Sequence, residues 1–200
     1  MKILALFTTY VVTTIASFFV LVHCSSANEE ELEQVDLEAT AYEDWYYKKT
    51  PPFRGWKYIV LHHSATKAGS VKAFHNYHTQ QGYGGIAYHF VIGNGVGMKD
   101  GEVQPTFRWH KQMTGTHVSV NSWDHNIFGI GICLVGNLEE DPPTAAQKKA
   151  LKALIEKLKS EHAISDDHVM GHGDVPHDDD PQSTEQTKCP GKKVKTAEFN

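Results

Sequence analysis

Apolar and polar positions divide the chain into three stretches. Behind Lys2, the residues from Ile3 to Val22 carry no charge and are mostly apolar, while residues 28–52 are acidic and poor in aliphatic side chains. From Trp56 onward, apolar positions recur with the periods of secondary structure. Tyr58-Ile59-Val60-Leu61 is an unbroken run of β-formers, as in a strand covered on both faces. Ser70 precedes Val71, Phe74 and Tyr77, with Lys72 and His75 between them. That spacing predicts an amphipathic helix of about three turns capped by Ser70. Ile86 to Ile92 reads as a second buried strand, ended by the turn pair Asn94-Gly95. Gly97 to Phe107 holds a turn at Asp100-Gly101 and a third strand, and Ile130 to Val135 a fourth. Pro143-Thr144 opens the clearest helix. Thr144 and Gln147 match a capping box, and Ala150, Leu151, Leu154, Ile155 and Leu158 share one face. Lys148, Lys149, Lys152, Lys157 and Lys159 fall largely off that face, as a solvated exterior. This order predicts an α/β fold, a single domain with a central mixed sheet flanked by helices. Strand order is not readable from it.

The first two stretches carry no such pattern. Lys2, the apolar run and the small residues Ser25-Ser26-Ala27 read as an export signal over residues 1–27. The run is twenty residues long, which also suffices for an uncleaved membrane anchor although Thr8, Thr9, Thr13, Thr14 and Ser17 dilute it, and Cys24 offers lipid attachment as a third alternative. All three put the working domain outside the cytoplasm. Residues 28–52, with Glu29, Glu30, Glu31, Glu33, Asp36 and Glu38 and closing on Pro51-Pro52, read as an acidic linker on which Trp45, Tyr46 and Tyr47 are available to dock. The folded domain is then 53–200. Its size is ordinary for one domain. With 19 basic against 24 acidic residues the net charge is −5, which leaves no basic excess for nucleic acid. Three cysteines are too few for a disulfide scaffold. Thirteen histidines are many, and point toward metal or acid–base chemistry. Nothing compels more than a monomer.

Three elements carry ligand-type side chains: His62-His63-Ser64 at the end of the first strand, Gly171-His172-Gly173-Asp174 after the long helix, and Thr187-Lys188-Cys189-Pro190-Gly191. Imidazole and thiolate suit Zn²⁺, and three protein ligands leave one position open for water. Each element alone is ordinary; a histidine at a strand end is more often a packed or surface residue than a ligand. Strand alternation does not choose between His62 and His63, because both sheet faces are covered.

Five segments occur in one order: Ile59-Val60-Leu61-His62-His63-Ser64-Ala65-Thr66, Gly85-Ile86-Ala87-Tyr88-His89-Phe90, Ile130-Gly131-Ile132-Cys133-Leu134-Val135-Gly136, Gly171-His172-Gly173-Asp174 and Thr187-Lys188-Cys189-Pro190-Gly191. Together, over roughly residues 55 to 192, they resemble the zinc-dependent N-acetylmuramoyl-L-alanine amidases, a family that includes amidase-type phage lysozymes and peptidoglycan-recognition proteins. The resemblance implies that His62, His172 and Cys189 ligate Zn²⁺, with His63 a packing or supporting residue. It implies hydrolysis of the amide between the lactyl group of muramic acid and L-alanine by a zinc-activated water. Tyr88 matches the tyrosine that would orient this water or donate to the oxyanion. Thr187 aligns with the position that holds lysine in phage members and threonine in many recognition-type members, and Lys188 stands next to it. Where some cytoplasmic relatives place a glutamate base, this chain has Cys133, expected as a small core residue. The Pro176–Gln186 segment is longer and more acidic than in phage members, and is expected to be a solvated loop. Trp109, His117 and Asn126 are the substrate-binding candidates, with peptidoglycan or a muropeptide as the partner. Two alternatives remain: a module that binds muropeptide without cleaving it, and a recycling amidase for anhydromuramyl peptides.

Overall fold

A computed structural model describes residues 55–199; the export signal or anchor and the acidic linker lie outside the described residues. Five strands form one mixed sheet: β1 (Tyr58–His63), β2 (Phe90–Ile92), β3 (Val103–Pro105), β4 (Gly129–Leu134) and β5 (Val169–Gly171). The order across it is β3-β2-β4-β1-β5. β1 runs parallel to β4 and β5, β2 runs parallel to β4, and only β3 is antiparallel to its neighbour. The central strands are apolar on both sides because helices or loops cover both faces.

On one face Ile59, Leu61, Phe90, Ile92, Ile130, Ile132 and Leu134 meet Leu151, Ile155 and Leu158 of the long helix α4 (Ala145–His162). The expected capping box is complete: the Thr144 hydroxyl accepts from Gln147 N at 2.9 Å, and Thr144 N donates to Gln147 Oε1 at 3.1 Å. Gln147 also docks the helix, donating from Nε2 to the carbonyls of Ile92 and Val135. On the other face α1 (Val71–Gln80), capped by Ser70, packs Phe74 against Ile86, Val91, Met98 and Val135. Tyr77, expected on the buried side of this helix, is 58% exposed.

The second strand is shorter than its pattern predicts, and the reason is local. Residues 86–89 find side chains rather than a full ladder: Arg108 Nε donates to Ile86 O at 2.6 Å, and Ala87 N donates to His78 Nδ1 at 3.0 Å. Two short helices not foreseen, α2 (Phe107–His110) and α3 (Trp123–Ile127), flank the 114–118 segment. Strand β5 has no signal of its own in the sequence, because its three residues carry too little pattern to stand out. No helix among the described residues is long and apolar enough to cross a membrane.

Candidate metal centre and active site

The parallel register of β1 with β5 ends with Leu61 opposite Gly171. His62 and His172 therefore come next, side by side at the carboxyl end of the sheet, where open α/β sheets hold ligands. Their ring centroids are 4.7 Å apart. Cys189 arrives on a loop folded back over the turn at His172: Gly173 N donates to Cys189 O at 2.8 Å and His63 N to Cys189 Sγ at 3.4 Å. The two glycines flanking His172 make room for that loop. A Cβ on Gly171 would lie 2.7 Å from Pro190 Cδ, and one on Gly173 would lie 2.4 Å from Thr187 O.

One ligand atom from each of His62, His172 and Cys189 lies within 4.8 Å of the others. His62 Nδ1 and Cys189 Sγ are 3.6 Å apart. A tetrahedral zinc with bonds of about 2.05 Å to nitrogen and 2.3 Å to sulfur requires an N···S edge of about 3.6 Å, so this edge already has the right length. The donor set and this edge fit zinc, and the three ligand atoms together lie within 4.8 Å.

The protonation pattern follows from the hydrogen bonds. Gly129 O only accepts, so His117 Nε2, 3.2 Å from it, carries a proton. His117 Nδ1 then accepts from His62 Nε2 at 3.1 Å, which leaves the lone pair of His62 Nδ1 toward Cys189. Burial keeps all three imidazoles neutral: it lowers His62 and His117 well below the ordinary value, with neighbouring imidazoles adding to the effect at His62, and lowers His172 less. Burial also raises the Cys189 thiol to about 11, against the opposing His63 N–H, so ligation by its thiolate requires loss of a proton.

Tyr88 lies just before β2, its ring 5.1 Å from that of His62. Burial raises the phenol well above its ordinary value, and the nearby Cys133 thiol adds to the effect; Cys133 Sγ itself donates to Leu134 O at 3.8 Å. Cys133 and Cys189 are both free. Thr187 is exposed, and its hydroxyl accepts from Cys189 N at 3.2 Å. Lys188 is exposed as well. His63 is half-buried and accepts Leu138 N at Nδ1, a packing contact.

The three substrate-binding candidates do not line up together. His117 is buried behind His62 rather than facing outward. Asn126 is buried and holds the His117 segment: Oδ1 accepts from His117 N at 2.8 Å and Val118 N at 3.2 Å, and Nδ2 donates to Val118 O. Trp109 packs against the α4-side core, stacked on Trp56 and tilted on Phe90, across the sheet from His62.

A further residue beside the cluster carries no signal in the sequence. Glu185 Oε2 lies 3.8 Å from His172 Nε2. Its Oε1 accepts from Ser119 N at 3.0 Å and from Ser119 Oγ at 2.5 Å. Burial raises this carboxyl, but the Ser119 bonds and His172 outweigh it and hold it below the ordinary value. Nothing local in an acidic run distinguishes Glu185 from its solvated neighbours.

The family model described as "N-acetylmuramoyl-L-alanine amidase" matches residues 51–192. Peptidoglycan recognition protein 3 of Mus musculus is 30% identical over 129 residues, which are 60% of this chain and 34% of that protein. The endolysin of Klebsiella phage KP32 is 32% identical over 125 residues, 58% of this chain and 74% of that one. This chain thus spans about a third of the mouse protein. Among solved structures, the N-acetylmuramoyl-L-alanine amidase LysC from Clostridium intestinale URNW superposes with a TM-score of 0.60 at 28% identity, covering 75% of this chain and 87% of that one. Peptidoglycan recognition protein-LE in complex with tracheal cytotoxin shares the fold, with a TM-score of 0.54 at 21% identity over 73% and 81% of the two chains.

Proposed function

The chain belongs to the N-acetylmuramoyl-L-alanine amidase family, and on that premise we propose that it is an exported zinc amidase. It cuts the amide between the muramic acid lactyl group and L-alanine of peptidoglycan or its muropeptides. The carrying observation is the meeting of His62, His172 and Cys189, with the His62–Cys189 edge at the length a tetrahedral ion needs. When bound, zinc would polarise the scissile carbonyl and bring the pKa of the attacking water toward neutrality.

The chain's own residues do the rest. His62 and His172 stay neutral through burial, and His117 fixes which nitrogen of His62 faces the ion. The Tyr88 hydroxyl, kept protonated by burial, donates to the oxygen on which negative charge develops. Thr187 Oγ1 accepts from Cys189 N, and its O–H is the donor this reading assigns to substrate. Asn126 braces the His117 segment. Export rests on the sequence of residues 1–27, and the linker role of residues 28–52 on their own acidic composition.

The test is zinc content of the purified chain with turnover of purified peptidoglycan, wild type against Cys189→Ala. One zinc per chain, new L-alanine amino termini, and loss of both in the variant are expected. Zinc without cleavage would favour a muropeptide-binding module; a wild type that takes up no zinc would overturn the reading.

A further inference from the structure

The Pro176–Gln186 segment, expected to be a solvated loop, is exposed from Asp178 to Gln182 and at Gln186, and it also folds back on itself and is tied to its neighbours. Pro176 and Thr184 form an antiparallel bridge. His177 N donates to Ser183 O at 3.0 Å and Glu185 N to Val175 O at 3.1 Å, so Glu185 returns beside the start of the excursion, three residues past His172. The outer side is tied to the neighbouring loop: Asp178 N donates to Asn121 O at 2.7 Å, and Asp178 Oδ2 accepts Asp124 N at 3.1 Å. Ser119 caps the turn Val120–Ser122 and at the same time donates twice to Glu185 Oε1. One carboxylate oxygen is thereby pinned and the other is aimed at His172 Nε2, with the Glu185 side chain only 10% exposed.

Resting on the zinc reading above, we propose that Glu185 is a positioning residue for the metal centre: it holds the His172 ring through Nε2–H so that Nδ1 is presented to the ion. The two histidine ligands are then anchored from behind in different ways. His62 leans on the His117 imidazole and the Gly129 carbonyl, and His172 leans on an ionised carboxylate delivered by the acidic segment. Outer partners of this kind fix the tautomer and ring orientation and strengthen the ligand. The need falls on His172 in particular. The His62–Cys189 edge already has its tetrahedral length, whereas the cluster as a whole spreads to 4.8 Å. The 3.8 Å gap to Glu185 exceeds a hydrogen bond and is too short for an intervening water, so the proposed bond requires a small movement of the ring.

Zinc affinity by competition with a chromophoric chelator, and the absorption spectrum of the cobalt(II)-substituted chain, test this in Glu185→Ala, Glu185→Gln, Ser119→Ala and the double variant Ser119→Ala/Glu185→Ala. We expect Glu185→Ala to bind zinc roughly 10–100-fold more weakly with a shifted cobalt spectrum, and Glu185→Gln, which keeps an acceptor, to recover part of the affinity. Ser119→Ala should lose less, and the double variant no more than Glu185→Ala, because both act through one carboxylate. Wild-type affinity and cobalt spectrum in Glu185→Ala, with wild-type zinc binding intact, would overturn this inference alone. Equal losses in the Ala and Gln variants, with a lowered melting temperature of the metal-free chain, would reduce Glu185 to a structural role and overturn it too. A wild type without zinc affinity would overturn both this inference and the zinc reading.

Discussion

Replacing Gly131 with alanine should weaken the fold and the proposed metal centre together. Gly131 sits in the middle of β4, paired to Val60 of β1, and the His117 ring lies directly on it. An added Cβ would stand 2.6 Å from His117 Cδ2 and 2.8 Å from Cγ. Carbon atoms rest at about 3.5–4.0 Å, so the ring has to yield by roughly 1 Å. It cannot retreat, because a Cβ on Gly115 would lie only 2.2 Å from His117 Cδ2, which puts that backbone hard against the ring. Nor can the strand yield, since β1 and β2 pair with β4 on either side. Overpacking of this kind costs about 1–3 kcal/mol. Alanine would otherwise stabilise the chain by about 0.4–1 kcal/mol through the unfolded state, because Gly131 does not have a positive φ. The net loss of about 1–2 kcal/mol lowers the melting temperature by roughly 2–8 °C for a domain of this size. The displaced ring also leaves His62 Nε2, 3.1 Å away, without its partner, so zinc affinity should fall about tenfold or more. Calorimetry of the metal-free chain and chelator competition read the two effects separately. A variant more stable than wild type with unchanged zinc affinity would refute the packing argument.

Other outcomes follow from the same geometry. Tyr88→Phe should retain zinc but lose about 10²–10³ in turnover of peptidoglycan, and a loss of zinc instead would assign Tyr88 to the fold. His89 is buried with its pKa lowered to about 3 by burial, Nδ1 accepting from Gly131 N and Nε2 donating to Met113 O. Its contribution is whole above the unfolded value near 6.5 and is lost as pH falls toward 3, so stability should drop by roughly 3 kcal/mol from this group between pH 6.5 and 4. Urea midpoints that stay flat over that range would contradict it. Thr144→Ala should cost about 1 kcal/mol or somewhat more, since the hydroxyl caps α4 and also donates to Asp100 Oδ1 at 2.6 Å. Zinc affinity should not change, because α4 covers the opposite sheet face.

The sequence by itself determined the elements whose signals are local. The β-rich runs of β1 and β4 and the capping box of α4 depend on residues within a few positions of one another, and the α/β class follows from their order. The candidate ligand set was also legible, but only through the ordered family motifs. Tertiary structure alone decided what depends on neighbours remote in the chain. Which of His62 and His63 faces Cys189 hangs on register and on the loop that returns across Gly171 and Gly173, since alternation is silent when both faces are covered. Trp109, His117 and Asn126 show the same dependence: their residue types suit a cleft, yet the docking of short helices and loops turns one into the far core and two into bracing behind His62. Glu185 is the clearest case. Its composition is that of a solvated run, and only the fold of its own segment and the distant Ser119 aim it at His172.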